Sequence, residues 1–304
     1  MINRTQDMVI GTRGSDLARF QANWVAAKFK DKLGIEPEVR IISTQGDRVT
    51  DRPLRELEGR GYFTKEIEEA LLSRAVDVAV HSFKDMPSKS PDGLAVAAVS
   101  EREDPADLLI MRSDAYDEFA GDIPLRKGAI VGTSAVRREA QLRALRPDLS
   151  SKDLRGNVPT RVTKLENGQY DAIFLASAGV RRLGLDLSKF VVVRLDPARF
   201  VPSPGQGALA IQMRADDEHF DDVHRVLNDE LTATSTTIER EVQRRFGGGC
   251  SLPLGAFARM EDGFWQVSGF WERDNHEAVA ADVSGEYPSS LAEQLYSRLS
   301  GYAR

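Results

Sequence analysis

The chain of 304 residues has a single cysteine, Cys250. One thiol excludes an internal disulfide and any cysteine-cluster metal site. The four histidines, His81, His219, His224 and His276, are scattered without the spacing of a zinc site. No apolar run approaches the ~18 residues of a membrane span, and Leu94–Val99 is among the longest. The first residues, Met-Ile-Asn-Arg-Thr-Gln-Asp, hold no apolar segment of signal-peptide length. The expectation is a cytoplasmic protein with no membrane partner. There is no G-x-x-x-x-G-K-[ST] phosphate loop and no G-x-S-x-G elbow. Gly205-Gln206-Gly207-Ala208-Leu209-Ala210 imitates a dinucleotide fingerprint, but it follows a Pro-rich break and enters a strand pattern, not a helix. A cysteine hydrolase lacks an identifiable orienting partner for its histidine.

The composition that remains is that of a globular protein, with 41% hydrophobic and 29% charged residues. The net charge of -6 argues against a nucleic-acid partner. That average hides an asymmetry. Residues 126–161 carry nine Lys/Arg against three acids, a local balance of +6. A basic cluster in an acidic chain points to an anionic ligand.

Cys250 sits in Arg245-Phe246-Gly247-Gly248-Gly249-Cys250-Ser251-Leu252-Pro253. Three glycines leave the backbone there little restricted, between a helical pattern and a strand pattern. A free cysteine is commonly a small buried hydrophobe. Arg240, Arg244 and Arg245 nearby favour the other reading, a thiol whose pKa is lowered by cations.

Taken in order, strand patterns end repeatedly at polar, chemistry-bearing segments. Met8–Thr12 runs into Arg13-Gly14-Ser15 and a helix to about Lys32. Val39–Ser43 reads as a strand, Phe63–Leu72 as a helix. Between them, residues 44–62 are glycine-rich and charged without clear periodicity, which suggests a lid. The strand Val76–His81 ends in His81-Ser82-Phe83-Lys84-Asp85, and the carboxyl ends of strands are where open α/β sheets bind ligands. Leu94–Val99 and Leu108–Met111 are further strands. Ile130–Gly132 leads through Thr133 and Ser134 to a helix at Ala135–Leu145, with Arg137 and Arg138 in its first turn. Cations at a helix N-terminus are unfavourable unless an anion offsets them. Helices at Thr160–Asn167 and Ala178–Leu183 alternate with strands at Tyr170–Ala176 and Val191–Leu195, and Ala208–Met213 reads as a strand returning to the first domain. Helices at Asp216–Leu227 and Thr232–Phe246, three antiparallel strands (Leu254–Met260, Phe264–Phe270 and Ala278–Val283) with Glu261-Asp262-Gly263 as a hairpin turn, and a closing helix, Ser290–Leu299, complete the chain. Two α/β lobes plus a small C-terminal α+β domain is the resulting architecture. Asp85 reads either as a loop charge paired with Lys84 or as a proton-handling carboxylate. Arg137 and Arg138 read either as an exposed helix face or as holders of carboxylates.

Seven stretches, in order, carry a resemblance. They are Gly11-Thr12-Arg13-Gly14-Ser15, Gly59-Arg60-Gly61-Tyr62-Phe63, His81-Ser82-Phe83-Lys84-Asp85, Gly132-Thr133-Ser134-Ala135-Val136-Arg137-Arg138, Leu154-Arg155-Gly156-Asn157-Val158-Pro159-Thr160-Arg161, Gly205-Gln206-Gly207-Ala208 and Gly248-Gly249-Cys250. Together they resemble the hydroxymethylbilane synthase (porphobilinogen deaminase) family over essentially the whole chain. The resemblance implies a transferase of tetrapyrrole (haem) biosynthesis that condenses four porphobilinogens with loss of ammonia and releases hydroxymethylbilane by hydrolysis. It implies a covalent dipyrromethane cofactor on Cys250 through a thioether, and Asp85 as the catalytic carboxylate. Cofactor contacts would come from Ser82, Lys84, Asp85, Thr133, Ser134, Arg137, Arg138 and Arg155, and substrate contacts from Arg13, Ser15, Arg155, Arg161, Arg182 and Gln206. The lobes would be periplasmic-binding-protein-like, with domain 1 at 1–104 and 207–226, domain 2 at 105–206 and domain 3 at 227–304, in a monomer. Arg60 and Pro204 depart from common family residues. The competing class is a two-lobed binding protein for a small carboxylate ligand.

Overall fold

A computed structural model of the chain describes residues 8–48, 62–249 and 252–301. In chain order the strands and helices begin with β1 (Val9–Thr12), α1 (Asp16–Leu33), β2 (Glu38–Ile41), α2 (Gln45–Arg48), α3 (Lys65–Leu72), β3 (Val78–Ser82) and β4 (Leu94–Val99). They continue with β5 (Asp107–Met111), β6 (Ile130–Gly132), α4 (Val136–Leu145), β7 (Ser150–Lys152), α5 (Val158–Glu166), β8 (Ala172–Ala176), α6 (Ser177–Arg182), β9 (Val191–Arg194) and β10 (Leu209–Arg214). The last are α7 (Phe220–Leu227), α8 (Glu230–Arg245), β11 (Leu254–Glu261), β12 (Phe264–Glu272), β13 (Ala278–Gly285) and α9 (Leu291–Ser300). No helix among the described residues is long and apolar enough to cross a membrane.

The chain divides into two compact units. Among the described residues, one holds 8–48, 62–103 and 208–233, the other 104–207, 234–249 and 252–301. The first unit is built on a five-stranded sheet in the order β2-β1-β3-β10-β4. β1, β2 and β3 are parallel, whereas β10 runs antiparallel to both β3 and β4. The expected return of the chain to its first sheet is therefore β10. Ser15 caps α1 by accepting the Ala18 N–H, and Gly34 ends it in the left-handed conformation at φ 69°. Ala22, Val25 and Phe29 share one face of α1 and pack on Ile10, Val78, Val80 and Ile211. Fully burying a side chain such as Phe29 contributes roughly 1.5–3 kcal/mol.

The second unit contains two sheets. One is five-stranded, β7-β6-β8-β5-β9, and the other is the antiparallel β11-β12-β13. Leu109, Met111, Val131, Leu142, Phe174 and Phe200 form one core, and Ile238, Val242, Leu254, Val267 and Leu295 belong to another. Asp262 at φ 50° and Gly263 at φ 81° make the tight β11–β12 hairpin turn that the sequence predicts. β7 was not predicted: Ser-Ser-Lys has no apolar alternation, and it pairs with β6 only through its backbone. α5 starts two residues before the expected Thr160, because the Asn157 side chain accepts the Thr160 N–H and Pro159 is tolerated in a first helical turn. Of the expected lid, Gln45–Arg48 forms one helical turn and 49–61 lie outside the described residues.

Candidate active site

In the first unit, adjacent parallel strands β1 and β3 end side by side. β1 delivers Arg13 and Ser15. The Arg13 guanidinium lies 4.1 Å from the centroid of the Phe63 ring, a cation–π contact with the residue that precedes Thr64 and α3. Ser15 is spent as the cap of α1. β3 delivers Ser82, whose hydroxyl is bonded at 2.9 Å to Gln21 of α1. A single 3₁₀ turn, Phe83–Asp85, follows. Residues three apart eclipse one another in such a turn. Phe83 and Met86 are both buried, against Val99, Ala208 and Ala210. That anchoring leaves Lys84 and Asp85 half-buried on the other side. Asp85 makes no ion pair among the described residues, so the expected alternative of a Lys84–Asp85 pair does not hold.

Behind the turn lies a polar chain that the sequence did not reveal. His81 Nε2 is 3.1 Å from Gln212 Oε1, and the same amide donates to Glu68 Oε1 at 3.1 Å. Thr64 Oγ1 donates to the other oxygen of Glu68. Because the amide nitrogen is committed to Glu68, the amide oxygen must accept, and His81 carries its proton on Nε2. Burial, opposed by the hydrogen bond to Gln212 and aided by the charge of Arg13, lowers His81 to about 4. Burial also raises Glu68.

In the second unit, β6 leads into Thr133 and Ser134. Gly132 is required there: a Cβ would meet Tyr170 at 2.8 Å. Ser134 Oγ donates to Leu154 O at 2.5 Å and accepts the Leu154 N–H at 3.2 Å. It thus ties the start of α4 to the segment carrying Arg155. Thr133 Oγ1 accepts the Ala135 N–H. Arg161 Nε donates to Gly156 O at 2.8 Å and Arg182 Nη2 to Gly207 O at 2.7 Å.

Arg137 and Arg138 are not an exposed helix face. Both are 5% exposed and both face Asp107 of β5, itself 0% exposed. Arg138 Nη2 donates to Asp107 Oδ1 at 2.7 Å. Arg137 Nη1 lies 2.8 Å from Oδ2 but directs its N–H to Val201 O, so its link to Asp107 is a charge contact without hydrogen-bond geometry. Burial would raise the Asp107 carboxyl, but the charges of Arg137 and Arg138 outweigh it and hold the group well below the usual carboxylate range. The chain thus supplies one anion, Asp107, against these two first-turn cations. Gln206, also 0% exposed, completes the cluster by donating to Asp107 Oδ1 at 2.8 Å and Pro105 O at 2.7 Å.

Ion pairs add detail to two expectations built on positive charge. Of the nine cations at 126–161, Arg126, Arg137, Arg138, Arg143 and Arg146 form ion pairs, with Asp171, Asp107, Glu272 and Asp148. Near the cysteine loop, Arg244 and Arg245 both pair with Glu241, two cations on one carboxylate. Cys250 lies outside the described residues. Gly249, before it, has its carbonyl bonded by Gln243 Nε2 at 3.1 Å.

Among the described residues, strand ends that carry Arg13 and Asp85 belong to a class, α/β proteins with charged side chains at the carboxyl edge of their sheets, the edge where open sheets bind ligands. The family model for porphobilinogen deaminase, dipyromethane cofactor binding domain, matches residues 8–222. The chain is 40% identical over 295 residues to the porphobilinogen deaminase of Streptococcus sanguinis, covering 95% of this chain and 94% of that protein. It is 42% identical over 290 residues to that of Chromobacterium violaceum, covering 95% and 91%. The chain belongs to the porphobilinogen deaminase family. Among solved structures it is similar to an ancestral cationic amino acid solute binding protein, with a TM-score of 0.45 at 15% identity, over 72% of this chain and 86% of that one.

The residues present fit an anionic cofactor of that kind. Two buried guanidiniums share one buried carboxylate, which leaves a positive balance, and Arg138 Nε is buried with no hydrogen-bond partner. A buried donor without an acceptor is costly, and a ligand carboxylate supplies one.

Proposed function

We propose that this chain is a hydroxymethylbilane synthase. It joins four porphobilinogen molecules head to tail, releases one ammonia at each joining, and frees the linear hydroxymethylbilane by hydrolysis. The observation that carries the reading is Asp85. It is an unpaired, half-buried carboxylate on a turn anchored by Phe83 and Met86, beside the strand end that bears Arg13. A carboxylate so held can stabilise positive charge on a pyrrole nitrogen and move a proton. In each joining the aminomethyl C–N bond breaks and the nitrogen leaves as ammonia. A carbon–carbon bond then forms to the free ring carbon of the growing chain, which gives up its proton.

In this reading Cys250 bears a dipyrromethane through a thioether. The bound dipyrromethane supplies the ring carbon at which the first porphobilinogen is joined. Arg137, Arg138 and Arg155, with Lys84, hold its acetates and propionates. Thr133 and Ser134 act by shaping the strand end, since both hydroxyls already bond the backbone. Arg13, Arg161 and Arg182 hold the carboxylates of incoming substrate. Ser15, Ser82 and Gln206, bonded within the protein, set the geometry around them. The three-domain division at 1–104 with 207–226, 105–206 and 227–304 belongs to the same reading and is supported by the three separate sheets. The enzyme is taken as a cytoplasmic monomer with no nucleic-acid or membrane partner, a state that sedimentation of the purified protein checks.

Intact mass spectrometry of the purified protein beside Cys250→Ser tests the assignment. The expected result is an excess of two pyrrole units on the unaltered chain and none on the variant. If no excess is found, incubation with porphobilinogen decides: a chain that still gains no mass is not this enzyme. Asp85→Asn should keep its primer but stop elongating, and normal turnover by that variant would remove Asp85 from the mechanism.

A further inference from the structure

α8 is the helix whose sequence leads into Gly247-Gly248-Gly249-Cys250. One of its residues, Glu239, is a carboxylate with 0% exposure. Its two oxygens serve two different segments. Oε2 accepts the Gly205 N–H at 2.7 Å, and Oε1 accepts the Ala258 N–H at 2.9 Å. β11 is an edge strand of its sheet, so every second N–H along it points away from β12. Ala256 and Ala258 are two such residues. The Ala256 N–H is taken by Pro202 O at 3.1 Å, and the Ala258 N–H by Glu239. The 201–205 segment therefore lies along the β11 edge. The approach is close: a Cβ on Gly255 would stand 2.7 Å from Val201 O.

The same segment determines the surroundings of the buried arginines. Val201 O accepts from Arg137 Nη1 at 2.7 Å and from Gln141 Nε2 at 3.0 Å, and the Val201 N–H donates to Gln141 Oε1. At its other end Gln206 donates to Asp107, on which Arg137 and Arg138 converge. Four residues beyond Glu239 on α8, Gln243 holds the carbonyl of Gly249. A continuous set of buried hydrogen bonds thus runs from the helix before Cys250 to the arginine cluster.

We propose that Glu239 is a positioning residue: its carboxylate braces the 201–206 segment against α8 and β11, and so sets Arg137 and Arg138 for the carboxylates of a primer anchored at Cys250. The proposal rests on the functional reading of Cys250 and the two arginines. The chemistry explains why a carboxylate is needed. Two N–H donors from separate segments require two acceptor oxygens on one side chain. Glutamine offers one oxygen and one NH₂, so Glu239→Gln keeps the shape, loses one bond and sets N–H against N–H.

The test uses the full chain produced in cells that make no porphobilinogen, as Glu239→Gln and unaltered. Hydrogen exchange is followed at the Gly205 and Ala258 amides, and the gain of pyrrole mass is followed against porphobilinogen concentration. In the variant, at least one of the two amides should lose protection tenfold or more. The half-saturating concentration for loading should rise about tenfold while the maximal loading rate stays within twofold, because the thiol is untouched. A general loss of structure would lower the maximal rate and leave the half-saturating concentration in place. Should Glu239→Gln not fold, Glu239→Asp takes its place, keeping the charge on a side chain one methylene shorter. A folded variant with both amides protected as before, or with unchanged half-saturation, overturns the brace. An unaltered chain that gains no mass would remove the functional reading instead, and the exchange data would then judge the brace by themselves.

Discussion

His81 makes the stability of the first unit depend on pH in a definite direction. It lies on β3, 5% exposed, with Gln212 of the adjacent β10 on Nε2. Burial lowers it from 6.5 to about 4. Between those values the unfolded chain binds a proton that the folded one refuses, so the contribution is complete above pH ~6.5 and is lost as pH falls toward 4. A separation of that size corresponds to about 3 kcal/mol, of which about 2 kcal/mol disappears between pH 7 and pH 5. His81→Gln removes the titrating group while keeping a polar side chain. Urea unfolding, read by hydrogen exchange of the Val78–Ser82 peptide, should therefore fall by about 2 kcal/mol more in the unaltered protein than in His81→Gln over that pH range. The His81 ring protons should also show no NMR titration above pH ~5.5. Parallel pH dependences, or a His81 titrating near 6.5, would refute the reasoning, because either requires an imidazole in contact with water.

Asp107→Ala leaves two buried guanidiniums without their carboxylate, and should cost about 3–5 kcal/mol in urea unfolding of the second unit. Because Asp107 is held below the usual carboxylate range, its stabilising contribution should fade as pH drops below ~4, and the variant should lack that acid-dependent loss. Gly156→Ala introduces a Cβ 2.7 Å from Thr160 Cγ2 on a backbone at φ 113°, a cost of about 1–3 kcal/mol. Since Arg161 bonds Gly156 O, the KM for porphobilinogen should rise with it in steady-state assays.

Element order, the return of β10 to the first sheet, the β11–β12 hairpin and the strand-end positions of Arg13 and Asp85 were all legible in the chain. They depend on local period, caps and turn residues, which neighbours in sequence dictate. The seven ordered stretches carried the family. Charge is least legible where partners are distant in sequence. Arg137 and Arg138 read as an exposed helix face or as carboxylate holders; burial removes the first, and their partner Asp107 lies about 30 residues earlier, in a strand whose remaining residues are Leu-Leu-Ile-Met. Nothing in that run marks the aspartate as different from an ordinary strand start. Arg244 and Arg245, by contrast, pair with Glu241 at helical spacing, a signal present in the sequence that i,i+3 and i,i+4 counting exposes.

By itself, then, the sequence determined which elements form and which chemistry they bring to the strand ends. Only the tertiary structure decided which charges stay available. Burial and the pairing of groups tens of residues apart neutralise some side chains, as at Asp107. They hold others uncharged, as at His81, and leave Asp85 without an ion partner among the described residues. The reason is physical: an ionised group costs little in water and much in a packed interior, so its state follows from neighbours that the fold supplies.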